Sequence, residues 1–223
     1  MNHATMPSKR PPSYTQQPES PGAPLGLRRH EALPPAGGEP LSRFQVPDAA
    51  ELSPELTQLH AQVERAHGFL PNWLRALSIN PDTACRLARF YLHLFDPERS
   101  HLSAAERELV AVVASSTNRC SYSVFNHTHA LGEALGDPIR ARRIALDHHH
   151  VRLSKRERLL ADVAEKLTTS PSGLDPGDLD QLRQAGFSEP AALELLEVAA
   201  FFNYVNRLTL ALNVVPDQQF FAD

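Results

Sequence analysis

The segment Glu106–Gly136, ERELVAVVASSTNRCSYSVFNHTHALGEALG, places a cysteine, a serine and a histidine at the spacing of one helix face. At about 100° per residue, His127 falls roughly 20° in azimuth from Cys120, and Ser123 lies one turn from each. His129 falls about 180° away, on the opposite face. If Asn118 caps the helix that carries them, Cys120 sits in its first turn. Backbone N–H groups and the helix dipole there favour a thiolate. A thiolate backed by an imidazole is the equipment for attack on a peroxide O–O bond: the sulfur becomes a sulfenic acid, which a further thiol must resolve. A carboxylate adds to such a site by holding the imidazole in one tautomer or passing it a proton. Glu108, on the helix before, is the candidate if the two helices pack antiparallel.

Other reactive residue types read more plainly. Cys85, between Ala84 and Arg86, is expected to be a core residue, because free cysteine usually packs as a small hydrophobe. His148, His149 and His150 are consecutive, so they diverge on any regular element. No carboxylate or cysteine at ligand spacing accompanies them, so they are read as a loop and no metal site is assigned. Asn203, Asn206 and Arg207 interrupt an apolar helical pattern and are expected to satisfy backbone or subunit contacts. Phe69 and Trp73 are expected in the core or an interface.

The elements that must position these groups are helical. Ser53-Pro54, Asn80-Pro81 and Asp137-Pro138 each read as an N-cap followed by proline in the first turn. Ser103 with Glu106, and Ser154 with Glu157, read as capping boxes. His67-Gly68 marks a helix end, and a long apolar pattern runs from about Glu189 to Asn213. Alternating β-branched stretches are absent. These signals specify an all-α domain of about seven or eight helices over residues 42–223. Residues 1–41 hold nine of the 19 prolines and four of the 10 glycines and few large apolar side chains, so they are expected to be a disordered tail.

Bulk composition removes several functions. The chain has 223 residues, 42% of them hydrophobic, enough for one sizeable core. A net charge of -4 offers no basic footprint for nucleic acid or anionic membrane. No apolar run reaches the roughly 20 residues of a membrane span, and the N-terminus lacks the apolar stretch of a secretory signal. Two cysteines are too few for a disulfide scaffold, so a cytoplasmic protein is expected. No haem, flavin or metal motif is present, and no cofactor is assigned.

Glu108, then Cys120, position 123 and His127 resemble the pattern Glu…Cys-x-x-Cys-x-x-x-His of the alkylhydroperoxidase D/carboxymuconolactone decarboxylase superfamily. SRFQVPD (42–48), GFLPNWLRALSINP (68–81), LSAAERELVAVVAS (102–115) and FFNYVNRLTLALNV (201–214) are similar to its peroxidase-related branch. The likeness spans residues 42–215. It implies a helical homo-oligomer reducing small hydroperoxides through cysteine thiols and a His/Glu proton relay, with an external thiol as reductant. The pattern breaks at Ser123, where the family carries its second cysteine. A serine hydroxyl cannot supply an anion at neutral pH and is not reversibly oxidised, so a two-cysteine disulfide cycle cannot run unaided. Three readings stay open. Cys120 acts as a one-cysteine peroxidase with Ser123 donating a hydrogen bond to it; the site works without cysteine, as in carboxymuconolactone decarboxylases; or the fold serves as a non-catalytic oligomer.

Overall fold

The computed structural model describes residues 40–221. The tail expected over residues 1–41 lies outside them, except for its last two positions. Within the described residues every regular element is helical. The α-helices are α1 (Pro54–His67), α2 (Asn72–Leu77), α3 (Pro81–Leu94), α4 (Ala104–Thr117), α5 (Ser121–Leu135), α6 (Pro138–Asp147), α7 (Lys155–Thr169), α8 (Pro176–Gln184) and α9 (Glu189–Leu212). Short 3-10 turns stand between some of them, including His148–His150 after α6.

The start signals act as anticipated. Ser53, Asn80 and Asp137 accept hydrogen bonds from backbone N–H groups of the first turns of α1, α3 and α6. Ser103 and Ser154 form reciprocal capping boxes with Glu106 and Glu157 at α4 and α7. Each satisfies donors that a helix start would otherwise leave orphaned. The additional helix is α2, whose six residues follow Pro71 with no side-chain cap. It is too short to show a 3.6-residue period.

Helix α4 is the axis of the domain. Its residues Arg107–Ser115 are buried without a break, so it is enclosed on every side, and α5, α6, α7 and α9 pack around it. The core residues Leu160, Leu195, Val110 and Phe202 are each at most 1% exposed. Two glycines set the α5–α6 corner. Gly136 ends α5 at φ 64°, a left-handed conformation that a side chain would strain. At Gly132 a Cβ atom would stand 3.0 Å from the Pro138 Cα, so only glycine lets α6 approach so closely. The described chain begins against its own far end: Val215 N–H donates to Leu41 O at 3.2 Å and Arg43 N–H to Leu212 O at 2.7 Å. No helix among the described residues is long and apolar enough to cross a membrane.

Candidate functional site

The α4–α5 connection differs from the expected one. Asn118 ends α4 rather than starting α5, Arg119 takes a left-handed conformation at φ 57°, and Cys120 is the N-cap of α5. Asn118 is instead held by α9, its side-chain amide donating to Asn203 Oδ1 at 2.9 Å. The sharp reversal brings α5 back along α4, and the antiparallel pairing puts Glu108 beside His127. Glu108 Oε2 and His127 Nδ1 are 2.7 Å apart, and both side chains are largely buried. A carboxylate at Nδ1 accepts that nitrogen's proton, which leaves Nε2 of the neutral ring as the lone-pair nitrogen available to a substrate. The ring is clamped by Phe202, edge-on at 4.5 Å between centroids, with Phe95 at 6.0 Å.

His127 and Ser123 line a cavity of about 470 Å³ whose apolar walls include Phe69, Trp73, Tyr91, Phe201 and Phe202. Phe69 and Trp73, expected in core or interface, thus face a ligand-sized space. No lysine or arginine is among the described lining residues. His67 also lines it. Burial, followed by the neighbouring His127, lowers the pKa of His67, so this ring favours its neutral form. His129, assigned to the opposite face, lines the same cavity and pairs with Glu133 at 3.4 Å.

Cys120 is not on that wall. It is 1% exposed, with its sulfur 3.1 Å from Thr209 Oγ1 on α9 and 3.6 Å from Ser123 Oγ. The Thr209 hydroxyl has backbone acceptors of its own, Val205 O at 3.1 Å and Asn206 O at 3.2 Å, which frees its lone pairs for the thiol proton. Ser123 therefore stands at the cavity with the thiol behind it. Cys85 lies on α3, buried, and burial raises the pKa of its thiol, as fits a packing residue. Asn206 is fully buried and bonded to Ser115, and Asn203 bonds Thr168 Oγ1 at 3.0 Å. Both are satisfied within the chain.

Sequence reasoning missed the group that fixes the cavity's other side. Asp217, 1% exposed, accepts from Asn72 N–H at 2.7 Å, the Tyr122 hydroxyl at 2.6 Å and the Asn126 amide at 2.8 Å. Burial raises the pKa of Asp217, while these three donors work against that rise. Nothing in the local sequence after Pro216 marks this carboxylate, because all its partners come from α2 and α5. Asp217→Ala strips the acceptor from buried donors and should cost about 2–4 kcal/mol. Urea unfolding of the variant beside the parent measures it; a loss under about 0.5 kcal/mol would show the network to be dispensable.

Similarity to known proteins converges on the same helices. Residues 81–147 match the carboxymuconolactone decarboxylase family model. The alkylhydroperoxidase AhpD core of an uncharacterized peroxidase-related protein from Ralstonia eutropha JMP134 is 29% identical, with a TM-score of 0.76 over 82% of this chain and 96% of that one. An uncharacterized peroxidase-related protein from Silicibacter sp. TM1040 is 27% identical, with a TM-score of 0.76 over 89% of this chain and 99% of that one. The debrominase Bmp8, 21% identical with a TM-score of 0.67 over 82% of this chain and 94% of its own, shares the fold alone. No curated protein matches the chain.

Proposed function

The chain belongs to the alkylhydroperoxidase D/carboxymuconolactone decarboxylase superfamily, and from that premise we propose that it reduces small apolar hydroperoxides through the Cys120 thiol. The observation that carries this reading is the Glu108–His127 pair, joined at 2.7 Å, opening on an aromatic-walled cavity with a thiol immediately behind its Ser123 wall. The thiol proton passes by way of the Ser123 hydroxyl, which accepts from the sulfur and lies one turn from His127, to the His127 ring, and Glu108 stabilises the imidazolium that forms. The sulfur attacks the terminal peroxide oxygen; the S–O bond forms as the O–O bond breaks. The departing alkoxide takes the proton back from His127 and leaves as an alcohol. Cys120 is then a sulfenic acid, and two equivalents of an external thiol return it to the thiol with release of water and a disulfide. Because Ser123 separates sulfur and cavity, its hydroxyl must turn aside for the sulfur to meet the peroxide.

The test is cumene hydroperoxide oxidation of the full chain, with sulfenate trapping and mass spectrometry, beside Cys120→Ser and His127→Ala. The expected result is sulfenate at Cys120 in the parent, slowed about 10²-fold or more without the imidazole. Oxidation of the parent no faster than a free thiol, and unchanged by His127→Ala, would overturn it.

A second reading is favoured by one observation: the wall presents Ser123 and His127 to the cavity and leaves Cys120 off it. The site then works as an acid/base pair without a thiol, as on the decarboxylase side of the superfamily. A carboxylated substrate would lack a lysine or arginine partner there. The same experiment separates the two, since only the first reading needs the sulfur.

A further inference from the structure

The three consecutive histidines after α6 are a corner rather than a loose loop. Helix α6 ends at Asp147, and the 3-10 turn His148–His150 packs beside α7. The rings of His148 and His149 lie 4.0 Å apart, tilted by 36°. A ligand atom from each of Asp147, His148 and His149 falls within 4.8 Å of the other two. Helix α7 contributes what the local sequence lacks: Glu165 Oε2 stands 3.1 Å from His149 Nε2 and 3.7 Å from His148 Nε2. His148 is 6% exposed, and its Nε2 has no hydrogen-bond partner. An imidazole nitrogen buried without a partner is a standing cost unless something binds it.

Asp147 Oδ1 stands 3.1 Å from the other ring nitrogen, His149 Nδ1. We propose that His148, His149 and Glu165 form a binding site for one divalent transition-metal ion of the zinc class, with Asp147 orienting the His149 ring from its Nδ1 side. Two imidazole nitrogens and one carboxylate are a donor set that zinc accepts, with a water as the fourth ligand. Bonds of about 2.0–2.2 Å place tetrahedral ligand atoms roughly 3.4 Å from one another. The Glu165 distances already straddle that value. His149 and Glu165 have side chains 52% and 34% exposed, so they are free to close on the ion, while His148 forms the floor. The turn is rigid enough to present the site, because Arg158 donates to His148 O at 3.0 Å and Val151 O at 3.1 Å. His150, 85% exposed, also reaches Asp147 Oδ2 at 3.5 Å and competes for that carboxylate. The bound ion would tie the C-terminus of α6 to the middle of α7. This site stands independently of the proposed peroxide chemistry.

The experiment uses the full chain without a histidine tag, stripped with chelator and dialysed against zinc chloride. Bound metal is counted by elemental analysis, and affinity is measured by titration calorimetry. Parent, His149→Ala, Glu165→Gln and the double variant are compared; both substitutions fall at accessible side chains, and circular dichroism checks the fold. The expected result is one zinc per chain in the parent, half-saturated in the low micromolar range, with each single variant weakened about tenfold or more. Melting temperature should rise with zinc in the parent and stay constant in the double variant. Substoichiometric uptake by the parent at saturating zinc, or the same uptake and affinity in the double variant, would overturn the site.

Discussion

Ser123→Cys should raise hydroperoxide turnover by about 10²-fold or more over the parent. The parent's sulfur lies 3.6 Å behind the Ser123 oxygen and off the cavity wall, whereas Ser123 itself faces the cavity one helical turn from His127. Misplacement of a reacting group by about 1 Å can cost 10²-fold in rate, and this substitution moves the thiol onto the wall. It also supplies the resolving partner, since Cys120 and position 123 lie at the mouth of one helix. The sulfenic acid formed at the wall would condense with the Cys120 thiol, releasing water and leaving a disulfide that dithiothreitol reduces. Turnover of cumene hydroperoxide with dithiothreitol, and mass spectrometry for the disulfide, read both effects. Ser123→Cys in a Cys120→Ser background separates them: it should keep the faster first oxidation but lose the internal disulfide. No gain from Ser123→Cys would mean that the cavity does not admit peroxides to this wall, and the thiol reading would fall with it.

The site was legible in part because its central pair obeys local rules. Glu108 and His127 sit on consecutive helices, each flagged by caps or spacing, and a tight reversal forces consecutive helices antiparallel. Their meeting at 2.7 Å follows from little more than that. What stayed hidden came from far along the chain. Thr209 approaches the sulfur from α9, and Asp217 ties α2 and α5 from beyond the last α-helix. Glu165 completes the histidine corner from α7. None of these stands at a spacing that any periodic pattern reveals. The placement of Cys120 turned on one residue: with Arg119 in the left-handed region, the cap passes from Asn118 to Cys120. A non-glycine residue at positive φ has no signature in an arginine, so the one-position shift could not be read in advance.

The pairing of Glu108 with His127 makes a double-variant test in which stability reads the contact and oxidation rate separates a relay from a structural ion pair. Glu108 is 8% exposed, and its carboxylate faces the histidine. His127→Ala leaves that carboxylate buried without its partner, and stranded buried charges cost about 3–5 kcal/mol. Adding Glu108→Gln removes the charge, so the double variant should be more stable than His127→Ala alone. Activity should follow the opposite pattern. Glu108→Gln removes the negative charge that stabilises the imidazolium, so His127 becomes a weaker base whichever way the amide turns. Peroxide-dependent oxidation of Cys120 should then fall about 10²-fold or more in either single variant, and the double variant should be no slower than His127→Ala. Denaturant unfolding and sulfenate-formation rates across the four proteins measure both patterns. Coupled losses of stability with the oxidation rate untouched would assign the pair to holding α4 against α5 alone. Non-additive losses of rate assign it to the chemistry, because only a proton relay makes one member useless without the other.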